Sequence, residues 1–341
     1  MRDRRVAVVG VTGAVGQEML DVLESRSFPV GELVPLASER SRGKKVSFRG
    51  KALDVQVLGN DSFKGVDLAL FSAGGGTSRE MAPVAVKAGA VVVDNSSAFR
   101  MDPEVPLVVP EVNSDAIANH KGIIANPNCT TIIMVVGIAP VHRLSPIQRI
   151  VASTYQAASG AGAKGMDALE RELSGEGRPS ATVPPNTKAK DSPFPHRLAG
   201  NLIPRIDVLG DNGYTGEEMK MVRETRKIMS LSAIPISATC VRVPVARAHS
   251  EAVQVSTERA LSLDEIRAAI QAAPGVCVVD DPKDDVYPTP VGVSGADDVE
   301  VGRIRKHPDE PNTYDFWIAG DQIRKGAALN AVQIAEVLLN I

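Results

Sequence analysis

The stretch Val6-Ala7-Val8-Val9-Gly10-Val11-Thr12-Gly13-Ala14-Val15-Gly16 decides the fold of the first half of the chain. Four apolar residues in a row read as a strand buried on both faces, as in a parallel sheet. A glycine turn follows, then a helix-like stretch from about Val15 to Ser25. Glycines at such a turn let the backbone approach a pyrophosphate closely. The helix N-terminus adds free N–H groups and the positive end of its dipole. The spacing G-x-x-G-x-x-G is a variant of the standard dinucleotide fingerprint. Glycines also make ordinary strand-to-helix turns, so the surroundings carry the weight.

Working outward, Leu33–Ala37, Leu53–Leu58, Val66–Phe71, Val91–Asp94 and Ile123–Ala125 are further strand candidates, and Thr77–Ala88 is a helix between two of them. Short apolar strands separated by helices predict a Rossmann-like, doubly wound parallel sheet. After Cys129 the character changes. Thr130–Leu144 predicts a helix apolar on nearly all sides, and Arg149–Tyr155 a strand. Residues 174–195, rich in Pro, Ser and Gly, read as a long loop rather than a domain linker. Thr239–Val245, Ala252–Ser256, Val299–Arg305 and Thr313–Ala319 then predict strands in succession, hence an α+β domain with a mixed or antiparallel sheet. The expected division is residues 1–128, completed by a returning C-terminal helix (Ala327–Leu339, within about 325–341), and residues 129–324.

The 341 residues are too many for one small core. A net charge of −3 implies no broad basic surface, so no nucleic-acid partner is expected. The longest apolar stretch, Thr130–Val141, is too short and too interrupted to span a bilayer, so no membrane partner is expected either. No signal-peptide core follows the charged N-terminus. Cys129, Cys240 and Cys277 form neither a disulfide framework nor a zinc-ligand spacing. A cytoplasmic protein without a metal site is the expectation.

The second strand runs into Ser38-Glu39-Arg40-Ser41-Arg42-Gly43-Lys44-Lys45. NAD-binding folds often place an acidic residue here, on the ribose hydroxyls. Glu39 is present but stands among four cations, a setting that suits a 2′-phosphate better than a bare ribose. NADP is therefore favoured over NAD; a solvated basic loop is the plain alternative. A second glycine turn, Ser72-Ala73-Gly74-Gly75-Gly76-Thr77, again joins a strand end to a helix start, where doubly wound sheets bind ligands. A flexible loop is the alternative there.

Asn126-Pro127-Asn128-Cys129-Thr130-Thr131 follows a short strand and precedes the buried helix. This puts Cys129 at a helix N-terminus, where the dipole and free N–H groups favour thiolate over thiol. A thiolate nucleophile that forms a thioester can link aldehyde oxidation to acyl transfer. A structural buried cysteine is the alternative. Cys240, in a strand, and Cys277, in Gly275-Val276-Cys277-Val278-Val279, fit that alternative better.

With the glycine turn, the segment Asn126–Thr131 resembles the aspartate-semialdehyde dehydrogenases, and the similarity covers nearly the whole chain. Further matching segments are Asp94–Arg100, Tyr155–Gly162, Glu217–Lys220, Cys240–Pro244 and Ala248–Glu251. The resemblance implies a glyceraldehyde-3-phosphate dehydrogenase-like pair of domains and assembly through the second domain into a homodimer or homotetramer. It implies Cys129 as nucleophile, Gln156 positioning the acyl intermediate and His249 as general acid/base. Arg100 and Lys220 are implied phosphate contacts, Arg242 grips the α-carboxylate, and Glu217 partners the α-ammonium; Asn128 joins the substrate set. Gly10, Thr12, Gly13, Ala14 and Val15 match the pyrophosphate turn, and Ser38, Arg40 and Ser41 the 2′-phosphate loop. Ser72, Ser159, Gly160 and Gln322 match other NADP contacts. The implied reaction is NADPH-dependent reductive dephosphorylation of L-aspartyl 4-phosphate to L-aspartate 4-semialdehyde, with phosphate as co-product, in lysine, threonine and methionine synthesis.

Chemistry supports part of this. Glu217 and Lys220, three apart in a helix from about Gly216, share a face; an exposed ion pair is the plain reading. Glu218 stands three after Thr215, at the capping-box position. Arg242 points opposite to Val241, Val243 and Val245, toward a polar site or water. Alternatives stay open. N-acetyl-glutamyl-phosphate reductase shares the chemistry, but its blocked amine needs no Glu217 equivalent. Glyceraldehyde-3-phosphate dehydrogenase carries Cys-Thr-Thr-Asn, whereas Thr131 here precedes Ile132. A catalytically inactive dinucleotide-binding relative would be expected to lose the nucleophile.

Overall fold

A computed structural model describes residues 3–175 and 192–340. The predicted loop over 174–195 falls largely on residues 176–191, outside the described residues. The chain divides into two units: Met1–Ile132 with Lys227–Ser230 and Ile323–Ile341, and Ile133–Arg226 with Leu231–Gln322.

In chain order the first unit holds β1 (Arg4–Val9), α1 (Ala14–Ser25), β2 (Val30–Ala37), β3 (Lys45–Phe48), β4 (Lys51–Asp54), β5 (Gln56–Val57), β6 (Leu68–Phe71), α2 (Gly75–Lys87), β7 (Val91–Asp94), α3 (Pro110–Asn113) and β8 (Ile123–Ala125). The unit boundary falls within α4 (Cys129–Leu144). Then come β9 (Ile147–Gln156), α5 (Ala163–Leu173), α6 (Gly216–Ile228), β10 (Ile236–Arg242), β11 (His249–Thr257), α7 (Leu263–Gln271), β12 (Val276–Val278), α8 (Pro290–Val293), β13 (Val299–Lys306) and β14 (Thr313–Gly320). A π-helical turn, Arg324–Ala328, leads into α9 (Leu329–Leu339), back in the first unit.

The first unit is built on a parallel sheet in the order β5-β2-β1-β6-β7-β8. Successive side chains of a strand point to opposite faces. So Val6 and Val8 pack in one apolar layer, with residues of α1 and α9, while Ala7 and Val9 pack in the other, with Met81, Ala82 and Ala85 of α2. Both faces are covered, which is why β1 is apolar throughout. The strand order reverses between β1 and β6, the position where such sheets open a binding crevice.

One predicted strand is corrected. Leu53–Leu58 is not continuous: β4 pairs with β3 as an antiparallel hairpin, and β5 alone reaches the sheet edge beside β2. The cause is the two-residue turn between β3 and β4. Arg49 and Gly50 both have positive φ (49° and 71°), the geometry that closes tight hairpins. At the second glycine turn, α2 begins at Gly75, two residues earlier than expected, and only Gly74 (φ 84°) needs glycine's freedom.

The second unit is a mixed sheet, β10-β9-β11-β14-β13-β12, with parallel pairs at both edges and antiparallel pairs between. The strand expected to reach Val245 stops at Arg242; Pro244 cannot donate to a ladder. In β10, Arg242 shares its face with buried Ala238 and Cys240, so its side chain turns inward, not to water. The apolar α4 lies on this sheet at Gly137, where a Cβ would come 2.7 Å from Ile318 Cδ1. No helix among the described residues is long and apolar enough to cross a membrane.

Candidate active site

In the first unit, the glycine turn fits a dinucleotide. Gly10 has φ 84°, and a Cβ there would lie 2.4 Å from the carbonyl oxygen of Ser72, at the end of β6. A Cβ on Gly16 would lie 2.3 Å from the Gly10 carbonyl oxygen. The turn is thus held by backbone-to-backbone contact that a larger residue would break. α1 starts at Ala14 with no side-chain cap and no acid in its first turn, so its N–H groups suit an anion. Thr12 Oγ1 and Ser41 Oγ are 3.0 Å apart, tying the glycine turn to the loop after β2. Within that loop, Arg42 grips both oxygens of Glu39 (2.5 and 2.9 Å), while Ser38 and Arg40 are exposed. The one acid of the loop is therefore engaged by a neighbouring cation.

Cys129 opens α4 in the same unit. Asn128 Oδ1 accepts from the Thr130 hydroxyl and from the Thr131 N–H (3.2 Å), capping the helix start. Behind it, Asn126 Nδ2 donates to Asn95 Oδ1 (2.6 Å), and Asn126 Oδ1 accepts from Asn330 Nδ2 (2.7 Å). Arg100 is buried and donates from Nε to the Asn126 carbonyl (2.9 Å) and from Nη2 to that of Asn95 (3.2 Å). The π-helical turn brings Gly326 against the nucleophile candidate: a Cβ there would sit 2.9 Å from Cys129 Cβ. Burial pushes the thiols of Cys240 and Cys277 up, away from the reactive thiolate form.

The second unit gathers Gln156, Glu217, Lys220, Arg242 and His249. Gln156 ends β9 and pairs in register with Arg242 of β10. Its Nε2 donates to Glu217 Oε1 (3.1 Å), and Lys220 Nζ donates to Glu217 Oε2 (3.1 Å) and to Asp207 Oδ2 (2.7 Å). Burial alone would lower the Lys220 ammonium, but Glu217 and Asp207 together hold it above its ordinary value. Glu218, one residue on, accepts instead from the Thr215 N–H (2.7 Å) and the Cys240 N–H (3.1 Å), so it fastens the start of α6 to the edge of β10.

The Ala157 peptide is held on both sides: Arg242 Nη1 donates to its carbonyl (2.5 Å), and its N–H donates to His249 Nδ1 (3.0 Å). An acceptor Nδ1 puts the imidazole proton on Nε2. His249 is fully buried, and burial, aided by the Arg242 charge, pushes its pKa down to about 3; the ring is neutral at pH 7. Gly160 leaves room beside it: a Cβ would lie 2.7 Å from Arg242 Nη1 and 3.4 Å from His249 Nε2. Ala248 precedes His249 with φ 73°, and its N–H donates to Gln322 Oε1 (2.7 Å), while Gln322 Nε2 donates to Ser159 Oγ. Ser159 and Gln322 are therefore tied to each other in this unit, and the glycine turn, Ser38, Arg40, Ser41 and Ser72 belong to the other.

Residues 5–120 match the semialdehyde dehydrogenase NAD binding domain, and residues 138–325 the semialdehyde dehydrogenase dimerisation domain. The aspartate-semialdehyde dehydrogenase of Synechocystis sp. is 54% identical over 338 residues, covering 98% of this chain and 97% of its own. This chain belongs to the aspartate-semialdehyde dehydrogenases. That of Bacillus subtilis is 47% identical over 338 residues, covering 99% of this chain and 98% of its own. The crystal structure of aspartate semialdehyde dehydrogenase II from Vibrio cholerae, complexed with ASA, matches with a TM-score of 0.92 at 44% identity, covering 100% of this chain and 99% of that one. As a family member the protein is an oxidoreductase of amino-acid biosynthesis with an NAD(P)-binding domain.

Several residues around these groups were not singled out from the sequence: Asn95, Asn126 and Asn330 behind Cys129, Gly326 against it, Thr154 beside Gln156, and Asp207 on Lys220. A signal existed for Asn330, a polar residue in the apolar run Ala327–Val332 that is fully buried here. For Asp207 there was none, because its partner is thirteen residues away across a loop.

Proposed function

We propose that the protein uses NADPH to convert L-aspartyl 4-phosphate and releases L-aspartate 4-semialdehyde and phosphate, as a cytoplasmic homodimer or homotetramer. The dimerisation-domain match over residues 138–325 supports a homo-oligomer. The engagement of Glu39 by Arg42, with Arg40 exposed, supports a 2′-phosphate over a bare ribose.

Cys129 is the nucleophile. Its thiolate forms a C–S bond to the acyl carbon as the C–O bond to phosphate breaks. The nicotinamide dinucleotide supplies the hydride that the thioester accepts. His249, the acid/base group of the site, is neutral with its proton on Nε2 and donates a hydrogen bond to the oxyanion that the hydride creates; as that oxyanion collapses to the aldehyde, the C–S bond breaks and the Cys129 thiolate returns. Gln156 positions the acyl group, Arg242 holds the α-carboxylate, Glu217 holds the α-ammonium, and Arg100 and Lys220 hold phosphate, with Asn128 in the same substrate set. Gly10, Thr12, Gly13, Ala14 and Val15 seat the pyrophosphate, Ser38, Arg40 and Ser41 the 2′-phosphate, and Ser72, Ser159, Gly160 and Gln322 the remainder of the dinucleotide.

The observation that supports this reading most is the pairing around Gln156. Arg242 stands beside it in register, and Glu217 accepts its amide hydrogen, so a cation and an anion flank one amide. An amino acid with a free ammonium and a carboxylate needs both. The test is phosphate-dependent reduction of NADP by aspartate semialdehyde, with N-acetyl-glutamate semialdehyde as control. Equal or greater turnover of the control would overturn the assignment.

A further inference from the structure

Gln156 can serve an acyl group only if its amide faces one way, and the hydrogen bonds around it have a fixed sense. Nε2 lies 3.1 Å from Glu217 Oε1, and Oε1 lies 2.9 Å from Thr154 Oγ1. A carboxylate only accepts, so the nitrogen must be the atom that faces Glu217. The carbonyl then faces Thr154, whose hydroxyl must donate. The sense continues on the far side, where the Lys220 ammonium, a donor only, takes the other Glu217 oxygen. The amide nitrogen keeps a second N–H for the substrate.

Thr154 is fully buried and Gln156 is 1% exposed, so the bond between them is made away from solvent. In register, Thr154 lies between Cys240 of β10 and Glu251 of β11, both fully buried. The Glu251 carboxyl oxygens have no hydrogen-bond partner among the described residues, so they do not orient Gln156. With the hydroxyl gone, the Gln156 carbonyl would be a buried acceptor without its donor, and one bond rather than two would hold the amide.

We propose that Thr154 is a positioning residue for the reaction, its hydroxyl locking the Gln156 amide with nitrogen toward Glu217 and substrate. This rests on the reading that Gln156 positions the acyl intermediate. It assigns a task to a fully buried side chain that acts through Gln156.

The test uses three variants of the full chain in the phosphate-dependent assay. Thr154→Val keeps the branched shape and removes the hydroxyl, Thr154→Ser keeps the hydroxyl, and Gln156→Leu is the reference. Thr154→Val should lower kcat about tenfold, with KM for aspartate semialdehyde and phosphate within about twofold of wild type. Thr154→Ser should restore kcat to within about threefold of wild type. Wild-type kcat in Thr154→Val beside an inactive Gln156→Leu overturns the positioning role and leaves the assignment of Gln156 standing. Equal falls in kcat for the Val and Ser variants mean that packing alone matters, and overturn it too. Wild-type kcat in Gln156→Leu overturns the role of Gln156 and this inference with it.

Discussion

Replacing Glu217 by Gln tests the amine-recognition site with almost no change of shape. The carboxylate accepts from two donors, Gln156 Nε2 and Lys220 Nζ, each at 3.1 Å. An amide offers one acceptor oxygen and an NH2 donor, so with Gln156 and Lys220 facing it as they do, one of these hydrogen bonds becomes a donor facing a donor, unless Gln156 turns its own amide over. Leaving a buried donor unsatisfied costs about 1–3 kcal/mol. Lys220 is 29% exposed and keeps Asp207 at 2.7 Å, so the ammonium can turn away and the stability loss should fall at the low end, about 1 kcal/mol. Catalysis should lose more, because the substrate ammonium also loses its countercharge. A loss of about 2 kcal/mol in transition-state stabilisation is roughly 30-fold in kcat/KM. The assay is phosphate-dependent NADP reduction by aspartate semialdehyde, with NADP affinity measured separately and expected to stay within about twofold. Glu218→Gln is the control. Glu218 accepts from the Thr215 and Cys240 N–H groups, so its loss should lower stability by about 1–2 kcal/mol while kcat/KM stays within about threefold. The reverse pattern, kinetics lost at Glu218 and kept at Glu217, would refute the reasoning.

Cys129→Ala should abolish turnover and leave the fold and NADP affinity nearly intact; residual phosphate-dependent activity above a few per cent of wild type would sink the thioester mechanism. Arg40→Ala should weaken NADP by ~1.5–3 kcal/mol, the range for a lost charged hydrogen bond, and leave NAD unchanged; equal losses for both cofactors, measured by titration, would mean that this loop does not read the 2′-phosphate. Glu251→Gln should stabilise the protein increasingly as pH rises. Burial holds the Glu251 carboxyl well above its ordinary range, so the folded state keeps a proton that the unfolded chain releases above about pH 4.3. Stability from this group is present below that pH and lost as pH rises toward the folded value, at up to about 1.4 kcal/mol per pH unit. His249 acts with the opposite sign, its stability lost as pH falls from about 6.5 toward its depressed folded value of about 3, but it is common to both proteins and cancels in the comparison. A stability difference independent of pH between 5 and 8 would show that Glu251 ionises normally.

Local chemistry was legible in the linear sequence where the chain carries both the signal and its response within a few residues. The apolar run into Gly10 and the helix after Gly13 needed nothing distant, and neither did the start of α4 at Cys129, capped by Asn128 one residue before. That the second unit holds a mixed or antiparallel sheet was legible too, as a succession of strands; the parallel pairs at its two edges were not. What the sequence could not carry was pairing. It offered Leu53–Leu58 as one strand, since alternation does not say which partner a strand will find, and the positive φ values at Arg49 and Gly50 sent half of it into a hairpin. It offered Glu217 and Lys220 as a pair on one helix face, but not that Gln156 reaches Glu217, that Asp207 reaches Lys220 across a loop, or that Thr154 backs Gln156. It left Arg242 undecided between a polar site and water; its face of β10 is buried, which removes water. The protonation of His249 belongs to the same class. Its residue type sets only the ordinary value near 6.5. The neutral ring with its proton on Nε2 is decided by complete burial, by the Arg242 charge and by the Ala157 N–H, all brought to it by folding.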